Sequence, residues 1–424
     1  MAILAVNAGS SSLKFSLHAW DGGVDVGDTL LIGSVDGREP QGQPRWRCRA
    51  PMPAGPVTKA APAWRDLGAG ALPSVDGDTA NATPFARALA QVQALITQHA
   101  HVPVRAVSHR VVHGGAQYRH AVCVDDAAMQ ALHALDSLAP LHQPHNLAGI
   151  ELFRSAWPDV PQVACFDTAF HATQPELEQR FALPEALHAQ GVRRYGFHGL
   201  SYQFIAQALS RHTPRAAGRV LMAHLGNGAS PCGAIDGTSR TSSMGFSALD
   251  GLMMGTRSGA LDPGVLLWLM QQGWTHERIE RLLYRESGLL GVSGQSADMR
   301  RLRQIATQAD AGTPSDRDRA QLAIDLFTHC IVRECGAVAA VLQGLDVIAF
   351  SGGIGEHDAQ LRRDVAQRLQ WLGVQIDEAA NRAAAGDAVR AIHTAGSAVE
   401  LWVVPTDEGV VAAQEAARCL ARAG

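Results

Sequence analysis

Residues 3–17 read ILAVNAGSSSLKFSL, and this stretch places a tight turn of small polar residues between two apolar, strand-like runs. Glycine and serine turns at strand ends point several backbone N–H groups the same way, which creates a concavity suited to phosphate oxygens. A plain β-hairpin has the same pattern, so the stretch predicts a hairpin and leaves phosphate binding open. Lys14 at its end is one of two lysines in the chain, the other being Lys59.

The length and composition indicate a globular enzyme of two or three domains. A chain of 424 residues exceeds one ordinary core, and the default is a two-domain enzyme with a cleft. Hydrophobic residues make up 46%, charged residues 18%, and 42 glycines indicate many turns. The net charge of -4 and the absence of Lys/Arg runs argue against nucleic acid and anionic membranes as partners.

The seven cysteines are scattered and form no C-x-x-C pair. Their odd number and spacing argue against a disulfide framework and a zinc site, and a reducing cytosol fits best. The pair His142 and His145 lies between prolines, which favours a rigid turn over a transition-metal site. Neither a signal-peptide pattern nor an apolar span of about 18 residues is present. We therefore expect a cytoplasmic protein without a membrane span.

Strand and helix patterns alternate along the chain, which indicates an α/β fold. Residues 36–84 are rich in proline and glycine, and we interpret them as a long surface excursion with one short strand near Trp46. The later pattern predicts strands within 162–170, 218–230 and 345–357, separated by helices. The stretch 219–235, RVLMAHLGNGASPCGAI, repeats the plan of the opening stretch. This repetition suggests a duplicated fold, although two unrelated hairpins would look the same.

Several residues could contribute to a phosphate or carboxylate site. Bare glycine turns recur at Gly9, at 226–228 and at 352–355, and no G-x-x-x-x-G-K-[ST] loop occurs, so the simple P-loop fold is excluded. Arg110 and Arg257 stand in apolar, glycine-rich contexts where an unpaired guanidinium would be costly, so each should face an anion. Internal salt bridges would also explain them.

Asp167, His198 and Glu408 are ambiguous when each is taken alone. Asp167 in FDTAFH and His198 in RRYGFHG resemble structural hydrogen-bond partners as much as catalysts. Glu408 in PTDEG could simply place negative charge at the start of the last helix.

Taken together, the motifs resemble those of the acetate kinases, the acetokinase family of short-chain acyl kinases. The strings VNAGSSSLKFSL, HRVVHGG, FDTAFH, RRYGFHG, HLGNGAS, SMGF, GLMMGTRSG with LDPG, SGGIGEH and VPTDEG occur in that family's order. The resemblance covers the chain apart from 36–84. It implies two duplicated ribonuclease-H-like domains, of the type found in actin, sugar kinases and heat-shock ATPases, with a cleft between them. The expected domains are 1–168 with 409–424, and the nucleotide-binding 169–408.

The resemblance also implies an activity: a homodimer that reversibly transfers the γ-phosphoryl group of ATP to acetate by direct in-line transfer. The products are acetyl phosphate and ADP, and Mg²⁺ or Mn²⁺ is required. Alternatives are a propionate or butyrate kinase of the same family, or a non-catalytic ATP-binding protein of the actin or chaperone type.

By the same resemblance, Asn7 and Glu408 help to hold the metal ion, and Arg110 holds the acyl carboxylate. Asp167 is the acid/base or positioning carboxylate, while His198 and Arg257 stabilise the transferring phosphoryl group. His142 matches a further active-site histidine. The implied acyl pocket is formed by Val112, Leu141, Phe197 and Ala248. The implied nucleotide-binding residues are Ser10, Ser12, Lys14, His224, Leu225, Gly226, Asn227, Gly228, Asp298, Met299, Arg300, Gly353, Ile354, Gly355, Glu356 and His357.

The chain departs from the family pattern at four places. Ala248 replaces a proline that resembles part of the wall around the acetate methyl group, and a smaller wall should admit a longer acyl chain. Ala260 stands in place of an aspartate, His357 in place of an asparagine, and DEG in place of N-E-E. These three changes concern loop geometry and base packing, not the reaction.

Overall fold

The structure is a computed structural model that describes residues 1–9, 12–37, 44–52, 64–72, 84–308, 312–386 and 388–423. Its contacts divide the chain into a first unit, Met1–Ala169 with Asp407–Gly424, and a second unit, Phe170–Thr406. The domain boundaries expected from the sequence, near 168 and 408, stay a prediction.

The strands supply one sheet in each unit. Those of the first unit are β1 (Ala2–Ala8), β2 (Ser12–Ala19), β3 (Thr29–Asp36), β4 (Arg45–Pro51), β5 (Trp64–Ala71), β6 (Val104–Val111), β7 (Val122–Cys123) and β8 (Gln162–Phe166). Those of the second unit are β9 (Arg219–Leu225), β10 (Ala229–Ile235), β11 (Thr238–Ser242), β12 (Val347–Ser351), β13 (Arg390–Ala391) and β14 (Glu400–Val403).

The helices lie between these strands and after the last one. They are α1 (Pro84–His99), α2 (Asp126–His133), α3 (Gln143–Ala156), α4 (Glu176–Gln179), α5 (Glu185–Ala189), α6 (Gly199–Ser210), α7 (Pro263–Gln271), α8 (His276–Arg285), α9 (Gly288–Ser293), α10 (Met299–Thr307), α11 (Pro314–Leu342), α12 (Gly352–His357), α13 (Ala359–Arg368), α14 (Glu378–Ala383) and α15 (Glu408–Ala423). Short 3₁₀ turns lie at Asp136–Leu138, Ala169–Thr173, Pro214–Ala217 and Gln370–Leu372.

The sheet of the first unit has the strand order β5-β4-β3-β2-β1-β6-β8-β7. The β1–β2 and β2–β3 pairs are antiparallel, whereas β1–β6 and β6–β8 are parallel. Strand β1 lies inside this sheet, between β2 and β6, and nearly all of its side chains are buried. Its core includes Leu4, Leu17, Val92 and Phe153. Helices α3 and α15 pack against its parallel part.

The sheet of the second unit repeats this plan with the order β11-β10-β9-β12-β14-β13. Here β9–β10 and β10–β11 are antiparallel, and β9–β12 and β12–β14 are parallel. Each unit also adds a two-residue antiparallel strand beyond its parallel part, β7 in one and β13 in the other. The α/β fold class and the duplication expected from the sequence are therefore confirmed.

The prediction that 36–84 is a surface excursion with one short strand is wrong for its described part. Strands β4 and β5 extend the first sheet by antiparallel pairing with β3 and with each other. Cys48 is buried in the core, and Trp46 packs beside it. Arginines at 45, 47 and 49 alternate with these apolar residues, as a half-buried strand requires. Residues 38–43, 53–63 and 73–83 lie outside the described residues.

Three other predicted strands are shorter than the sequence suggested. The strand predicted within 345–357 is β12, which ends at Ser351, and helix α12 follows it directly from Gly352. The 162–170 strand ends at Phe166, and a 3₁₀ turn follows from Ala169. The 218–230 strand is a hairpin, because β9 and β10 are interrupted by Gly226, Asn227 and Gly228. Within the described ranges, no helix combines the length and the apolar character that crossing a membrane requires.

We predict that acid destabilises the fold through three buried histidines. Burial lowers the pKa of His18, His109 and His171 to about 4, from 6.5. The unfolded chain therefore binds more protons between these values. The stabilisation is complete above pH 6.5 and falls by about 1 kcal/mol per pH unit for each histidine as the pH drops towards 4.

Urea unfolding from pH 7 to 4.5 tests this. His109→Gln, which can keep the contact of His109 Nε2 with Gln162 Oε1 (2.7 Å), should flatten the pH dependence of the unfolding free energy. The control His120→Gln, at an exposed histidine, should leave it unchanged. A wild-type unfolding free energy that stays constant down to pH 4.5 would contradict the prediction.

Candidate active site

Polar side chains of the first unit lie where its parallel strands end. Asn7 is the last residue but one of β1, Arg110 that of β6, and Asp167 directly follows β8. The register pairs Val6 with His109 and Arg110 with Cys165, so the three side chains reach the same sheet edge. Ligand sites of α/β sheets form at the carboxyl ends of such strands.

Arg110 is the centre of this group. Its Nε and Nη2 donate to the two carboxylate oxygens of Asp167 at 3.1 and 2.5 Å, and its Nη1 donates to Asn7 Oδ1 at 3.3 Å. Glu408, the first residue of α15, places Oε2 3.5 Å from Arg110 Nε. The structure thus brings together the residues that the sequence assigned to the metal ion and to the acyl carboxylate.

The charges in this group compensate one another. Asp167 is 1% exposed and Arg110 is 17% exposed, so neither charge is stable there without its partner. Burial alone would lower the pKa of Arg110, but the carboxylates of Asp167 and Glu408 outweigh it and raise that pKa. Arg110 therefore stays a cation at any physiological pH.

The oxygen atoms of this group suit a hard divalent cation. Carboxylate and carboxamide oxygens, here from Asn7, Asp167 and Glu408, are the ligands that Mg²⁺ and Mn²⁺ prefer. Among the described residues, no group of three or more His, Cys, Asp or Glu side chains is placed to hold a metal ion. Mg²⁺ usually keeps several water ligands and binds phosphate, so it needs only one or two ligands from the protein.

Helix α3 fixes the backbone around Arg110 through residues that the sequence reasoning missed. Asn146 Oδ1 accepts from Val112 N at 3.0 Å, and Asn146 Nδ2 donates to Ala8 O at 2.7 Å. Gln143 Oε1 accepts from His113 N at 3.1 Å. These side-chain amides hydrogen-bond to backbone groups at the ends of β1 and β6, and they thereby position Asn7 and Arg110. No sequence signal marks them, because an amide on a helix is usually exposed.

The predicted acyl-pocket residues of the first unit border the same segment. Val112 is buried directly after β6. Leu141 and His142 are half-buried, and His142 is the residue that precedes α3. The predicted Phe197 and Ala248 belong to the second unit, where both are buried.

His198 is a candidate active-site residue of the second unit. It has a left-handed backbone, with φ 59° and ψ 24°, and directly precedes α6. This conformation is uncommon for a residue other than glycine and is often found at functional sites. His198 Nδ1 lies 2.8 Å from Ser230 Oγ, which also contacts the buried Tyr202 hydroxyl at 2.5 Å. Ser230 and Tyr202 thereby orient the imidazole ring. The sequence analysis did not identify either of them as a site residue.

Gly228 is the point where the candidate groups of the second unit converge. A Cβ atom on Gly228 would lie 2.8 Å from Arg257 Nη2 and 3.1 Å from His198 Nε2. The His198 ring also stacks on His224, with 4.4 Å between ring centroids. The bare backbone at 228 is thus the reason that a guanidinium and an imidazole approach the glycine turn so closely.

Arg257 is 8% exposed, and its Nη1 donates to the backbone carbonyl of Ala248 at 2.6 Å. This bond ties the predicted phosphoryl-stabilising arginine to the predicted acyl-pocket residue. Phe197 is the other predicted acyl-pocket residue of the second unit, and its carbonyl oxygen lies 2.8 Å from His171 Nε2.

The predicted nucleotide turns lie side by side at the carboxyl ends of β9 and β12. Gly352 has φ +75°, and a Cβ there would lie 2.7 Å from Leu225 O. Gly226 faces Gly353 N, which a Cβ on Gly226 would approach to 3.8 Å. Gly255 packs so tightly on Asn227 that a Cβ would overlap its Oδ1. The turn at 226–228 and the glycine-rich start of α12 at 352–355 therefore present adjoining stretches of bare backbone.

Glu356 and Arg362 stabilise the junction between β12 and helix α12. Glu356 Oε1 accepts from Gly352 N at 2.9 Å and from Thr406 N at 3.2 Å, and burial raises the pKa of Glu356. The fully buried Arg362 donates to Gly355 O at 2.9 Å and Glu356 O at 2.8 Å. The sequence assigned Glu356 to the nucleotide, whereas its carboxylate here organises the turn. Ile354 is half-buried and His357 exposed.

The remaining predicted nucleotide residues have local roles in the structure. Asp298 caps α10 by accepting from Arg300 N at 2.8 Å, and the two side chains form an exposed ion pair. Met299 is buried beside them. In the first unit, Ser12 O accepts from Gly9 N at 2.8 Å, and the exposed Lys14 is paired in register with Asn7. Ser10 lies outside the described residues.

Comparison with known proteins places the chain in a family. A model of the Acetokinase family matches residues 74–414. An acetate kinase from Methylocella silvestris is 52% identical over 312 residues, 73% of this chain and 74% of that one. An acetate kinase from Nitrobacter hamburgensis is 40% identical over 421 residues, 97% of this chain and 95% of that one.

Solved structures agree with these matches. A propionate kinase from Francisella tularensis superposes with a TM-score of 0.81 at 31% identity and covers 98% of each chain. The Porphyromonas gingivalis acetate kinase gives a TM-score of 0.79 at 32% identity and covers 99% of each chain. Fold and matches together define a kinase, an enzyme of the phosphotransferase class. The chain belongs to the acetokinase family, which confirms the resemblance stated from its motifs.

We predict that Gly228→Ala lowers kinase turnover by about 10²-fold, because the added methyl group displaces Arg257 and His198 by a fraction of an ångström or more. The thermal unfolding midpoint should change little, since both side chains can move aside. The matched control is Gly336→Ala in α11, where a Cβ meets nothing within 4 Å. Full activity in Gly228→Ala would show that the close approach at this glycine does not matter for turnover.

Proposed function

We propose that the protein catalyses reversible transfer of the γ-phosphoryl group of ATP to acetate, forming acetyl phosphate and ADP. The observation that carries this proposal is the approach of Arg257 and His198 to the bare backbone of Gly228. A guanidinium, an imidazole and a glycine turn together stabilise the negative charge that spreads over the oxygens of a phosphoryl group in transfer. Membership of the acetokinase family supports the acceptor.

The second unit is proposed to bind the nucleotide through the turns at 226–228 and 352–355. Their adjoining backbone can approach phosphate oxygens and the adenosine without steric hindrance. Gly353 is exposed, and a Cβ on it would meet nothing within 4 Å. Packing within the protein therefore does not require a glycine here, whereas the close approach of a ligand would. His224, Asn227 and the 298–300 segment are proposed to border the nucleotide, and Ser10, Ser12 and Lys14 to approach its phosphates.

Arg110 is proposed to bind the acyl carboxylate in the first unit. Its planar guanidinium can pair with two carboxylate oxygens, as it already does with Asp167. Acetate is an anion at neutral pH and needs no general base to become a nucleophile. We therefore propose that Asp167 orients Arg110 and the metal ion instead of moving a proton.

Asn7 and Glu408 are proposed to help hold a divalent cation, with Mg²⁺ or Mn²⁺ as the candidates. When bound, such an ion neutralises phosphate charge and supports in-line transfer. Asp167 contributes by keeping Arg110 in place, so that the guanidinium and the oxygen ligands stay at fixed separations.

The acyl-chain preference is proposed to include propionate. Ala248, at the position where the family pattern has a proline, has a small side chain, and its carbonyl is fixed by Arg257. One methylene group in an apolar pocket is worth only about 1 to 3 kcal/mol of discrimination. The small side chain of Ala248 thus favours, as the second candidate function, a kinase that accepts several short-chain carboxylic acids.

We expect the purified chain with ATP and Mg²⁺ to form hydroxylamine-trappable acyl phosphate with acetate and with propionate, and less with butyrate. The kcat/KM for propionate should exceed a hundredth of that for acetate. Ala248→Pro should reduce propionate use by about tenfold or more while retaining acetate, because it restores the larger wall.

Reactions without acid serve as the control. A propionate value below a hundredth of the acetate value would refute the role of Ala248. Binding of ATP without any acyl phosphate would instead favour the non-catalytic, actin-like or chaperone-like alternative over the whole proposal.

The oligomer is proposed to be a homodimer that covers one face of α7. Leu267, Trp268 and Met270 of α7 are more than half exposed, whereas Leu269 packs inward with Ile279 and Leu283 of α8. Exposed apolar residues in such a row favour a protein interface over solvent. A second copy of this chain is the partner that the family resemblance implies.

We predict that Trp268→Glu converts the dimer into a monomer, since a buried carboxylate at an apolar interface is unfavourable. Sedimentation velocity of the wild type and the variant at equal concentration measures the change. Trp371→Glu is the control, because Trp371 is also exposed but lies in a different element. A monomeric wild type, or a Trp268→Glu protein that remains dimeric, would contradict the proposed interface.

We also propose that the two units are the two domains of the enzyme and that it acts in the cytoplasm. All seven cysteines are free thiols in the structure, which fits a reducing compartment. Acetate, ATP and a second copy of the chain are the proposed partners, and neither nucleic acid nor a membrane is required.

A further inference from the structure

Two cysteines far apart in the sequence meet at one edge of the first sheet. Cys123 lies on the two-residue strand β7, and Cys419 lies on α15, 296 residues further along the chain. Their Sγ atoms are 3.9 Å apart, and Cys123 is exposed. We propose that Cys123 and Cys419 are an oxidisable pair that forms a disulfide bond on exposure to a hydroperoxide.

The backbone positions of both cysteines are well defined. Strand β7 pairs antiparallel with β8, Cys123 opposite Val163, and Val124 N donates to Gln162 O at 2.8 Å. Helix α15 packs on β7 and β8, and Cys165 Sγ contacts Ala412 O at 3.4 Å. A disulfide has an S–S bond of about 2.05 Å, so the sulfurs need to approach by about 2 Å. Because Cys123 is exposed, its side chain has room to rotate.

The environments of the two thiols set the order of reaction. Cys123 is exposed, so peroxide reaches it first. Its thiolate attacks one peroxide oxygen, forms a sulfenic acid and releases hydroxide, which takes up a proton to become water. Cys419 then attacks the sulfenic sulfur, loses its proton and releases a second water. In total, two thiols and one hydrogen peroxide give one disulfide and two waters. Burial raises the pKa of Cys419 to about 11, so little of it is thiolate at neutral pH and the first attack on peroxide falls to Cys123.

The proposed bond has a clear structural consequence. The first unit is built from two chain segments, Met1–Ala169 and Asp407–Gly424, and among their described residues no disulfide bond joins one segment to the other. A bond between 123 and 419 joins these segments covalently and restricts the unfolded chain over a very long loop. Cys419 lies about 16 Å along the helix from Glu408, at 1.5 Å per residue, so the bond fixes the end of α15 remote from the candidate metal ligand.

The first test treats the reduced, full-length protein with hydrogen peroxide, blocks remaining thiols with N-ethylmaleimide and maps the peptides without reduction. We expect the free thiols to fall from seven to five, reversibly with dithiothreitol, and a crosslinked peptide joining Cys123 to Cys419. Cys123→Ser and Cys419→Ser should each abolish this crosslink. Cys330→Ser, at a half-buried cysteine of the second unit, should keep it. Over-oxidised Cys123 beside an alkylated Cys419, or a disulfide between two chains, would overturn the proposal.

The second test measures thermal unfolding of the oxidised and reduced forms. The oxidised wild type should unfold at a temperature at least about 3 °C higher than the reduced form, because the crosslink constrains the unfolded state. Cys123→Ser should show no difference between the two treatments. An equal midpoint for the two wild-type forms, with the crosslink demonstrated, would refute the stabilising role of the bond.

Discussion

The pairing of Arg110 with Asp167 is the interaction on which the geometry of the first unit's candidate site depends. A guanidinium and a carboxylate removed from water must be neutralised where they lie, and here each provides the other's counter-charge at 2.5 Å. Only the parallel register of β6 and β8 places them at the same sheet edge. Asn7 on β1 and Glu408 at the start of α15 add further oxygen atoms around the guanidinium. The strand order therefore determines the arrangement of the candidate site as well as the packing of the core.

The same strand order supports different chemistry in the second unit. Where the first unit has charged and amide side chains at its strand ends, the second has glycine turns after β9 and β12. The absence of Cβ atoms at Gly228 and Gly352 lets other groups approach the backbone directly. One scaffold thus carries charged and amide side chains at its strand ends in one copy, where we propose the acyl and metal sites, and bare backbone in the other, where we propose the nucleotide site. This division fits a kinase, whose two substrates differ in charge and size.

The sequence predicted the fold class, the duplication and the family, because these depend on motifs whose residues are local in the chain. The glycine-containing stretches at Gly9, Gly226–Gly228 and Gly352–Gly355 all follow apolar strands, a pattern visible without coordinates. Strands β4 and β5 were missed because their flanking prolines and glycines outweighed the alternation of arginine with Trp46 and Cys48. Asn146, Ser230 and the Cys123–Cys419 contact could not be predicted, since each depends on partners distant in the sequence.

Arg362 shows how a buried charge can prepare a binding site without touching a ligand. Its guanidinium is completely buried, and it donates to Gly355, Glu356, Asn381 and Ala384 carbonyls and to the Asn381 side chain. Burial lowers its pKa to about 10, so it remains charged at neutral pH. These acceptors lie in the last turns of α12 and α14, where the helix dipole favours a cation. Helix α12, where we propose that the nucleotide binds, is thereby ordered without a ligand, and binding does not have to supply that ordering.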